Sequence, residues 1–479
     1  MEVVVGIDSS TQSTKVEART VDTGRIVGRG AAPHPPTAPP ISEQDPAAWW
    51  QALVSAIGAL GDHRRHVAAL AVAGQQHGLV LVDGAGTPVR PAKLWNDTTS
   101  APEADRLVSV LGPARWAQGC GSVPVASFTV TKLAWMAVHE PDELARTARV
   151  MLPHDYLTWR LTGAHVTDRG DASGTGWFDP SAGCYRPELL GAAVGSPDGW
   201  MERLPVVLAP DEPAGELTAD VAAELGLPAG IPVGPGTGDN MAGALGLGLR
   251  PGDLAMSLGT SGTVYAVSST PTTDESGAVA GFADADGGYL PLVCTLNATK
   301  VTDAVARWMG TDAVGLAELA QRAQPGVDGL VLVPYFDGER TPNRPDATGS
   351  VVGLRTGTSR ERLARAAHDG VLCGLFDGVA ALDRAGVDTS GRLLLVGGGA
   401  RSSAYRQRAA DLRGGPVVVP DADEAVATGA AVQAAAVAGL GSPAELARRW
   451  LLGAGETVEP VATDGAAVRA AYAEVTRSE

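Results

Sequence analysis

The residues best suited to chemistry in this chain lie in Gly234-Pro235-Gly236-Thr237-Gly238-Asp239-Asn240-Met241-Ala242-Gly243, where one carboxylate stands between a glycine-rich approach and a run of small residues that starts a helix. Glycines at 234, 236 and 238 let the backbone bend where a side chain would clash, and Asp239 followed by Asn240 suits the N-terminal edge of a helix. A ligand can approach such a carboxylate closely, so Asp239 is the expected catalytic base. An N-cap aspartate in a tight loop is the alternative reading of the same residue. A second polar group, Gly74-Gln75-Gln76-His77-Gly78, ends the apolar run 67–72, a strand end of the kind where open α/β sheets bind ligands. Its amides and imidazole suit the hydroxyls of a sugar. Trp95, within Lys93-Leu94-Trp95-Asn96-Asp97, is suited either to a sugar face or to the core.

Two hairpins supply a phosphate-binding chemistry. Val3-Val4-Val5-Gly6-Ile7-Asp8 is a buried-strand run, broken by Ser9-Ser10-Thr11-Gln12-Ser13-Thr14 and resumed at Lys15. Its hydroxyl-rich tip offers N–H and O–H donors to phosphate oxygens, while Asp8 at the strand end can hold a hydrated magnesium ion; an ordinary polar hairpin is the alternative. The segment 254–265 repeats that layout around Gly259-Thr260-Ser261-Gly262, and two such hairpins predict two related lobes, residues 1–246 and 247–479. Leu393-Leu394-Leu395-Val396 then runs into Gly397-Gly398-Gly399-Ala400-Arg401, backbone bare enough to lie against a nucleotide. The spacing is not G-x-G-x-x-G, which argues against a nicotinamide dehydrogenase, and no lysine follows a glycine, so the Walker A pattern is absent.

These groups must be positioned by alternating strands and helices. Asp45 and Pro46 predict a helix to about residue 60, after the proline-rich loop 33–40. Further helices are expected after Ser127, at Leu152-Pro153-His154-Asp155, over 363–382 and over 425–440, with strands at 330–336 and 417–420. Asp168, Asp171 and Ser173 read as surface-loop or helix-capping groups. Glycines at 243, 246, 248 and 252 are expected to ease backbone rotation near the lobe boundary.

At 479 residues, with 44% hydrophobic and 19% charged residues, the chain is globular and large enough for two or three domains. A net charge of −17 argues against nucleic acid and anionic membrane as partners. No run of about 18 apolar residues predicts a membrane span, and Met1-Glu2 runs at once into a strand, so a cytoplasmic protein is expected. Cys120, Cys184, Cys294 and Cys373 form no C-x-x-C pair and are expected in the core. Only four lysines, 15, 93, 132 and 300, stand against 33 arginines, which marks each of them for attention.

Taken in order, Gly6-Ile7-Asp8, Glu43-Gln44-Asp45-Pro46 with Trp49-Trp50, Gly74-Gln75-Gln76-His77-Gly78, Leu94-Trp95-Asn96-Asp97, Thr131-Lys132-Leu133, Gly238-Asp239-Asn240, Leu258-Gly259-Thr260-Ser261-Gly262, Gly338-Glu339-Arg340-Thr341-Pro342 and Gly397-Gly398-Gly399-Ala400-Arg401 resemble the FGGY family of carbohydrate kinases over almost the whole chain. The resemblance implies an α/β, two-lobed actin-like ATPase fold of the ribonuclease H-like type, with a mixed five-stranded sheet in each lobe and a cleft between the lobes. It implies ATP and Mg²⁺ as cofactors and phosphorylation of D-xylulose in D-xylose catabolism, with ribulose, gluconate or glycerol as alternative acceptors. A non-catalytic ATPase of the same fold is a further alternative. Asp239 is then the base, Asp8 the metal-binding residue, and Gln76, His77, Asn240 and Trp95 the sugar contacts. Ser10, Thr11, Gln12, Ser13 and Lys15 with Gly259, Thr260 and Ser261 clasp the phosphates, and Gly398, Gly399 and Ala400 lie beside the adenosine. Related kinases often carry methionine where Gln76 stands. A homodimer is left open as the assembly.

Overall fold

All seven residues of the first strand, Val3–Ser9, are buried, the pattern of a strand covered on both faces. In the computed structural model, which describes residues 2–324, 326 and 329–478, that strand is the centre of the first of two compact units. The first unit comprises Met1–Leu249, Ser269–Leu290 and Ala422–Leu452; the second comprises Arg250–Ser268, Pro291–Asp421 and Gly453–Glu479.

In the first unit, Val3–Ser9 pairs antiparallel with Ser13–Thr20, which pairs antiparallel with Ile26–Pro33. On its other side it runs parallel to Val67–Gly74, which takes two short parallel neighbours, Pro232–Val233 and Thr237–Gly238. With Gly215–Glu216 at the edge, this sheet has seven strands among the described residues, more than the five expected. The additional strands are two-residue pieces, too short to show a period of two in sequence. The second unit repeats the arrangement. Leu254–Leu258 pairs antiparallel with Gly262–Ala266 and parallel with Leu393–Val396, which runs parallel to Val417–Pro420. The duplication expected from the two hairpins is therefore a duplication of sheet topology.

Alternation along the first strand explains its two covers. Val3, Val5 and Ile7 face a core with Trp49, Leu53 and Ile57 of the helix Pro46–Gly58, whose N-terminus is capped by the Asp45 side chain accepting from the Ala47 amide at 2.9 Å. Val4 faces the other way, with Ala69 and Ala71, onto Ala431, Val432, Ala434 and Ala435 of the helix Ala425–Val437. Small residues let that helix come very close. A Cβ on Gly6 would lie 1.9 Å from the Ala427 carbonyl oxygen. The same helix packs on Asp239–Gly246, where a Cβ on Gly246 would meet the Ala425 oxygen at 1.9 Å and one on Gly429 the Ala242 oxygen at 1.8 Å. Gly246, expected to ease rotation, is required by this contact instead.

Cys120 and Cys373 are buried as expected, but Cys184 is exposed, in a two-residue strand paired with Phe178–Asp179, and Cys294 is partly exposed. Among the described residues, no helix is long and apolar enough to cross a membrane.

Gly429→Ala tests the helix contact cleanly. Alanine in a helix interior ordinarily gains about 0.8–1.0 kcal/mol over glycine. Here the added methyl would strike backbone, and we expect a net loss of about 1–3 kcal/mol or more, read as a lowered urea midpoint.

Candidate active site

The register of the first sheet brings the candidate residues together. Asp8 lies opposite Ala73 and Ser9 opposite Gly74, while Thr237 and Gly238 lie opposite the same Ala73 and Gly74. Three adjacent parallel strands thus end at one level, and their carboxyl ends deliver Asp8, Gln75-Gln76-His77 and Asp239 to one edge, the usual ligand side of an open α/β sheet.

Asp239 is the first residue of its helix; Gly238 holds the N-cap position. The capping alternative therefore does not account for it. Its Oδ1 accepts from the Asn240 amide at 2.8 Å and from Asn240 Nδ2 at 3.0 Å. Burial, and then the charge of Asp8, push the Asp239 carboxyl up to about 7, against the hydrogen bonds from Asn240. Asp8 is itself raised to about 6 by burial, moderated by Ser10 Oγ, which donates to its Oδ1 at 2.5 Å, and by the Lys15 ammonium.

The glycines before Asp239 are needed for the reason sequence suggested. Gly236 has φ +82°, and a Cβ there would lie 2.4 Å from His154 Nδ1; one on Gly238 would lie 2.6 Å from Gln76 Cγ. The approach is also pinned from a distance. Gln433 exchanges two 3.0 Å hydrogen bonds with the backbone of Gly236, and Thr237 Oγ1 donates to Asp168 Oδ2 at 2.7 Å.

Gln76 and Asn240 are joined: Asn240 Nδ2 donates to Gln76 Oε1 at 2.7 Å, so one amide touches both the strand-end loop and Asp239. Gln76 Nε2 and Gln75 Nε2 are buried donors with no hydrogen-bond partner. His77 sits in the left-handed region, φ 67°, a conformation that costs a non-glycine residue about 1–3 kcal/mol. Its ring is held by Nδ1 at 2.9 Å from the Gly174 carbonyl oxygen, by Phe128 stacked at 5.0 Å and by Phe282 at 5.5 Å. Lys132 Nζ, fully buried, donates to the carbonyls of Ala126, Ser127 and Phe128 and so fixes the loop that presents Phe128.

The tip at residues 10–13 is partly exposed. Thr11 Oγ1 donates to Gln75 Oε1 at 3.1 Å and accepts from Trp95 Nε1 at 2.9 Å. Trp95, 42% exposed, is thus placed against the tip and not in the core. Gln44 Nε2 donates to the Thr11 carbonyl, and Gln44 Oε1 accepts from Trp49 Nε1 at 2.7 Å, which gives the Glu43-Gln44-Asp45 segment a supporting role. Lys15 Nζ pairs with Glu424 at 2.8 Å. Lys93 and Lys300 are also paired, with Glu43 and Asp97 and with Asp337.

In the second unit, the parallel pairing of Ser257 with Val396 sets Gly259-Thr260-Ser261 and the triple-glycine turn at adjacent strand ends. Thr260 and Ser261 are exposed, as is Gly398, while Gly399 and Ala400 are buried. Gly397 has φ +85°, and a Cβ on Gly399 would lie 2.8 Å from Leu258 Cβ. Glu339 of the charged turn is buried and structural, accepting from the Leu296 and Arg340 amides.

The family model of the FGGY carbohydrate kinases matches residues 3–246 with its N-terminal domain and residues 254–438 with its C-terminal domain. The chain belongs to the FGGY family of carbohydrate kinases. Its α/β architecture with duplicated mixed sheets is the actin-like ATPase fold of that family. This FGGY kinase is 50% identical to a xylulose kinase of Streptomyces rubiginosus over 96% of its own chain and 93% of the relative's. It is 48% identical to a xylulose kinase of Streptomyces coelicolor over 97% and 94%. Among solved structures, the xylulose kinase of Bifidobacterium adolescentis superposes with a TM-score of 0.89 at 41% identity, covering 99% of each chain.

Sequence reasoning placed Asp168, Asp171 and Ser173 on the surface or at caps. Asp168 does cap the short helix Arg169–Ala172, accepting from the Gly170 and Asp171 amides, but all three are buried in this kinase. Their burial leaves no local mark: Thr237, which bonds Asp168, is 69 residues away, and Ala283, which bonds Ser173, is 110 away. Gln433, Phe128 and Phe282 were missed for the same reason; nothing local marks them.

A base must be ionised to accept a proton. With Asp239 near about 7 and Asp8 near about 6, kcat/KM for the sugar is expected to fall on the acid side with apparent pKa values in that range, belonging to the pair of carboxylates. A profile flat from pH 5 to pH 8, roughly the span over which such a base titrates, would exclude Asp239 as that base.

Proposed function

We propose that this kinase transfers the γ-phosphoryl group of ATP to the terminal hydroxyl of D-xylulose, yielding D-xylulose 5-phosphate and ADP, in the cytoplasm, with Asp239 as the general base. The observation that carries the reading is the convergence of Asp239, Asp8 and Gln76-His77 on one sheet edge, with Asn240 bonded to both the base and Gln76. Near-full-length similarity to xylulose kinases supports xylulose over ribulose, gluconate or glycerol.

In this reading, Asp239 receives the hydroxyl proton as the oxygen bonds to phosphorus and the bond to the ADP oxygen breaks. His77 and Asn240 orient the ketose, and the unpartnered Nε2 of Gln76 donates to a sugar hydroxyl. An amide in place of a thioether at 76 adds that donor and the acceptor for Asn240. Trp95 covers the tip side of the sugar. Ser10, Thr11, Gln12, Ser13 and Lys15 donate to phosphate oxygens, as do Gly259, Thr260 and Ser261; Lys15 is shared with Glu424. Gly398, Gly399 and Ala400 lie along the adenosine. We assign the sugar and base to residues 1–246 and the nucleotide to 247–479.

Among the described residues no cluster of three or more His, Cys, Asp or Glu side chains is spaced to hold a metal ion. Mg²⁺ suits such a site, since it keeps several waters and binds through one or two carboxylates together with substrate phosphates. Asp8 fits: it is a buried carboxylate whose charge, with that of Asp239, favours a cation. When bound, the ion would neutralise charge on the phosphoryl oxygens.

An ADP-release assay over xylulose, ribulose, gluconate and glycerol tests the acceptor; a kcat/KM for any of the others above that for xylulose would overturn it. Asp239→Asn should keep ATP and sugar binding while lowering kcat by at least about 100-fold. His77→Ala is expected to cost about 1–3 kcal/mol in kcat/KM for xylulose with ATP affinity unchanged. Equal losses for both substrates would make His77 structural.

A further inference from the structure

Behind the Asp239 approach lies a buried cluster that the reaction above does not use. His154 Nε2 is 3.2 Å from Asp155 Oδ1, 3.3 Å from Asp171 Oδ2 and 3.5 Å from Asp168 Oδ1, and none of the four side chains is more than 3% exposed. The residue is packed between Gly74 and Gly236. A Cβ on Gly236 would strike its Nδ1 at 2.4 Å, and one on Gly74 would lie 3.0 Å from the His154 backbone nitrogen. Gly74 opens the Gln75-Gln76-His77 loop, and Gly236 is three residues before Asp239. His154 therefore backs both segments, the Gln75-Gln76-His77 loop through its backbone and the Asp239 approach through its ring.

The cluster also grips the approach directly. Asp168 Oδ1 faces His154, Asp168 Oδ2 accepts from Thr237 Oγ1 at 2.7 Å, and Thr237 is two residues from Asp239. Asp155 Oδ2 accepts from the Leu152 amide at 2.7 Å, anchoring the start of the helix that carries His154. Neither oxygen of Asp171 has a hydrogen-bond partner, nor have the two His154 ring nitrogens or Asp155 Oδ1, so His154 compensates Asp171 as a charge at 3.3 Å and not through an aligned hydrogen bond.

We propose that His154 is a positioning residue for phosphoryl transfer: as a buried imidazolium it clamps Asp155, Asp168 and Asp171 together and thereby fixes the Gly236-Thr237-Gly238 turn that aims Asp239. Burial opposes the charge on His154, but the three carboxylates prevail and raise the imidazole to about 9. Burial already raises Asp155 to about 6 and Asp171 well above the ordinary carboxylate range, against the charge of His154; without the cation these acids would take up protons and pair anew, and the turn hydrogen-bonded to Asp168 would shift with them. A base displaced by even about 1 Å loses on the order of 100-fold in rate.

The inference rests on Asp239 being the base for xylulose phosphorylation, so the parent enzyme and Asp239→Asn are assayed beside the test variants. If the parent does not phosphorylate xylulose, or Asp239→Asn stays active, the underlying reading fails and takes this inference with it; with both controls as expected, the His154 variants alone decide the clamp. His154→Gln and His154→Lys are purified, checked for cooperative melting, and measured by ADP release. We expect His154→Gln to lower kcat on the order of 100-fold with KM for ATP unchanged, and His154→Lys, which keeps the cation, to recover most of the loss. A purely structural histidine would lower the melting temperature and leave kcat per folded molecule alone. A folded His154→Gln enzyme with kcat within about threefold of the parent, or a lysine variant no better than the glutamine one, overturns the proposal. If His154→Gln does not fold, His154→Gln/Asp171→Asn, which buries one carboxylate fewer, replaces it. A kcat at least about tenfold below the parent supports the clamp and a parent-like kcat overturns it.

Discussion

Repulsion between two carboxylates governs the candidate active site. Asp8 and Asp239 end neighbouring positions of one sheet edge because their strands both pair with Val67–Gly74, and the charge of the first adds to burial in raising the second to about 7. The chain meets that repulsion with specific devices. Ser10 and Lys15 serve Asp8, and Asn240 donates twice to Asp239 Oδ1, which orients the carboxylate for the proposed role of base. A base poised near neutrality abstracts a proton more effectively than one held at the ordinary carboxylate value, so the same repulsion that must be contained is chemically useful.

Holding two like charges in register requires a rigid frame, and the sheet supplies one through close contact with the helix Ala425–Val437. That helix touches the first strand at Gly6 and the Asp239 helix at Gly246, while its Gln433 fixes the backbone of Gly236. Its run of small residues is thus a geometric requirement. Any larger side chain on the facing surfaces would lift the helix off the strand that carries Asp8 or off the helix that begins with Asp239.

What could be read in sequence was whatever leaves a local mark. The strand at 3–8, the helix from Pro46, the strand at 393–396 and the repeated hairpin announce themselves through periodicity, caps and turn residues within a few positions. Asp239 was legible because the glycines that make room for it are its neighbours. By contrast, His154-Asp155 stood in plain view at a helix start, yet the partners that give it meaning, Asp168, Asp171 and Gly236, come from other elements. Asp168 looks like an ordinary loop acid until a strand 69 residues later bonds it, and Gly246 looks like a flexible joint until the facing carbonyl is known. Return of residues 422–452 to the first unit is a long-range event of the same kind.

The sugar loop follows one further consequence of this logic. His77 is held in a left-handed backbone conformation that histidine rarely adopts, and its ring is fixed by Gly174, Phe128 and Phe282, while Lys132 is buried to hold the loop behind Phe128. A histidine needed only to fill space would not require a strained backbone, a glycine opposite its ring and a buried lysine beneath its stacking partner. Strain sustained by so many contacts is characteristic of a side chain whose direction matters. Gln76 beside it is aimed by Asn240, which is itself bonded to Asp239, so the loop that would read the sugar and the group that would take its proton are set by a single amide. Displacing either one must disturb the other, which under the proposed roles would couple acceptor recognition to proton abstraction within the first unit.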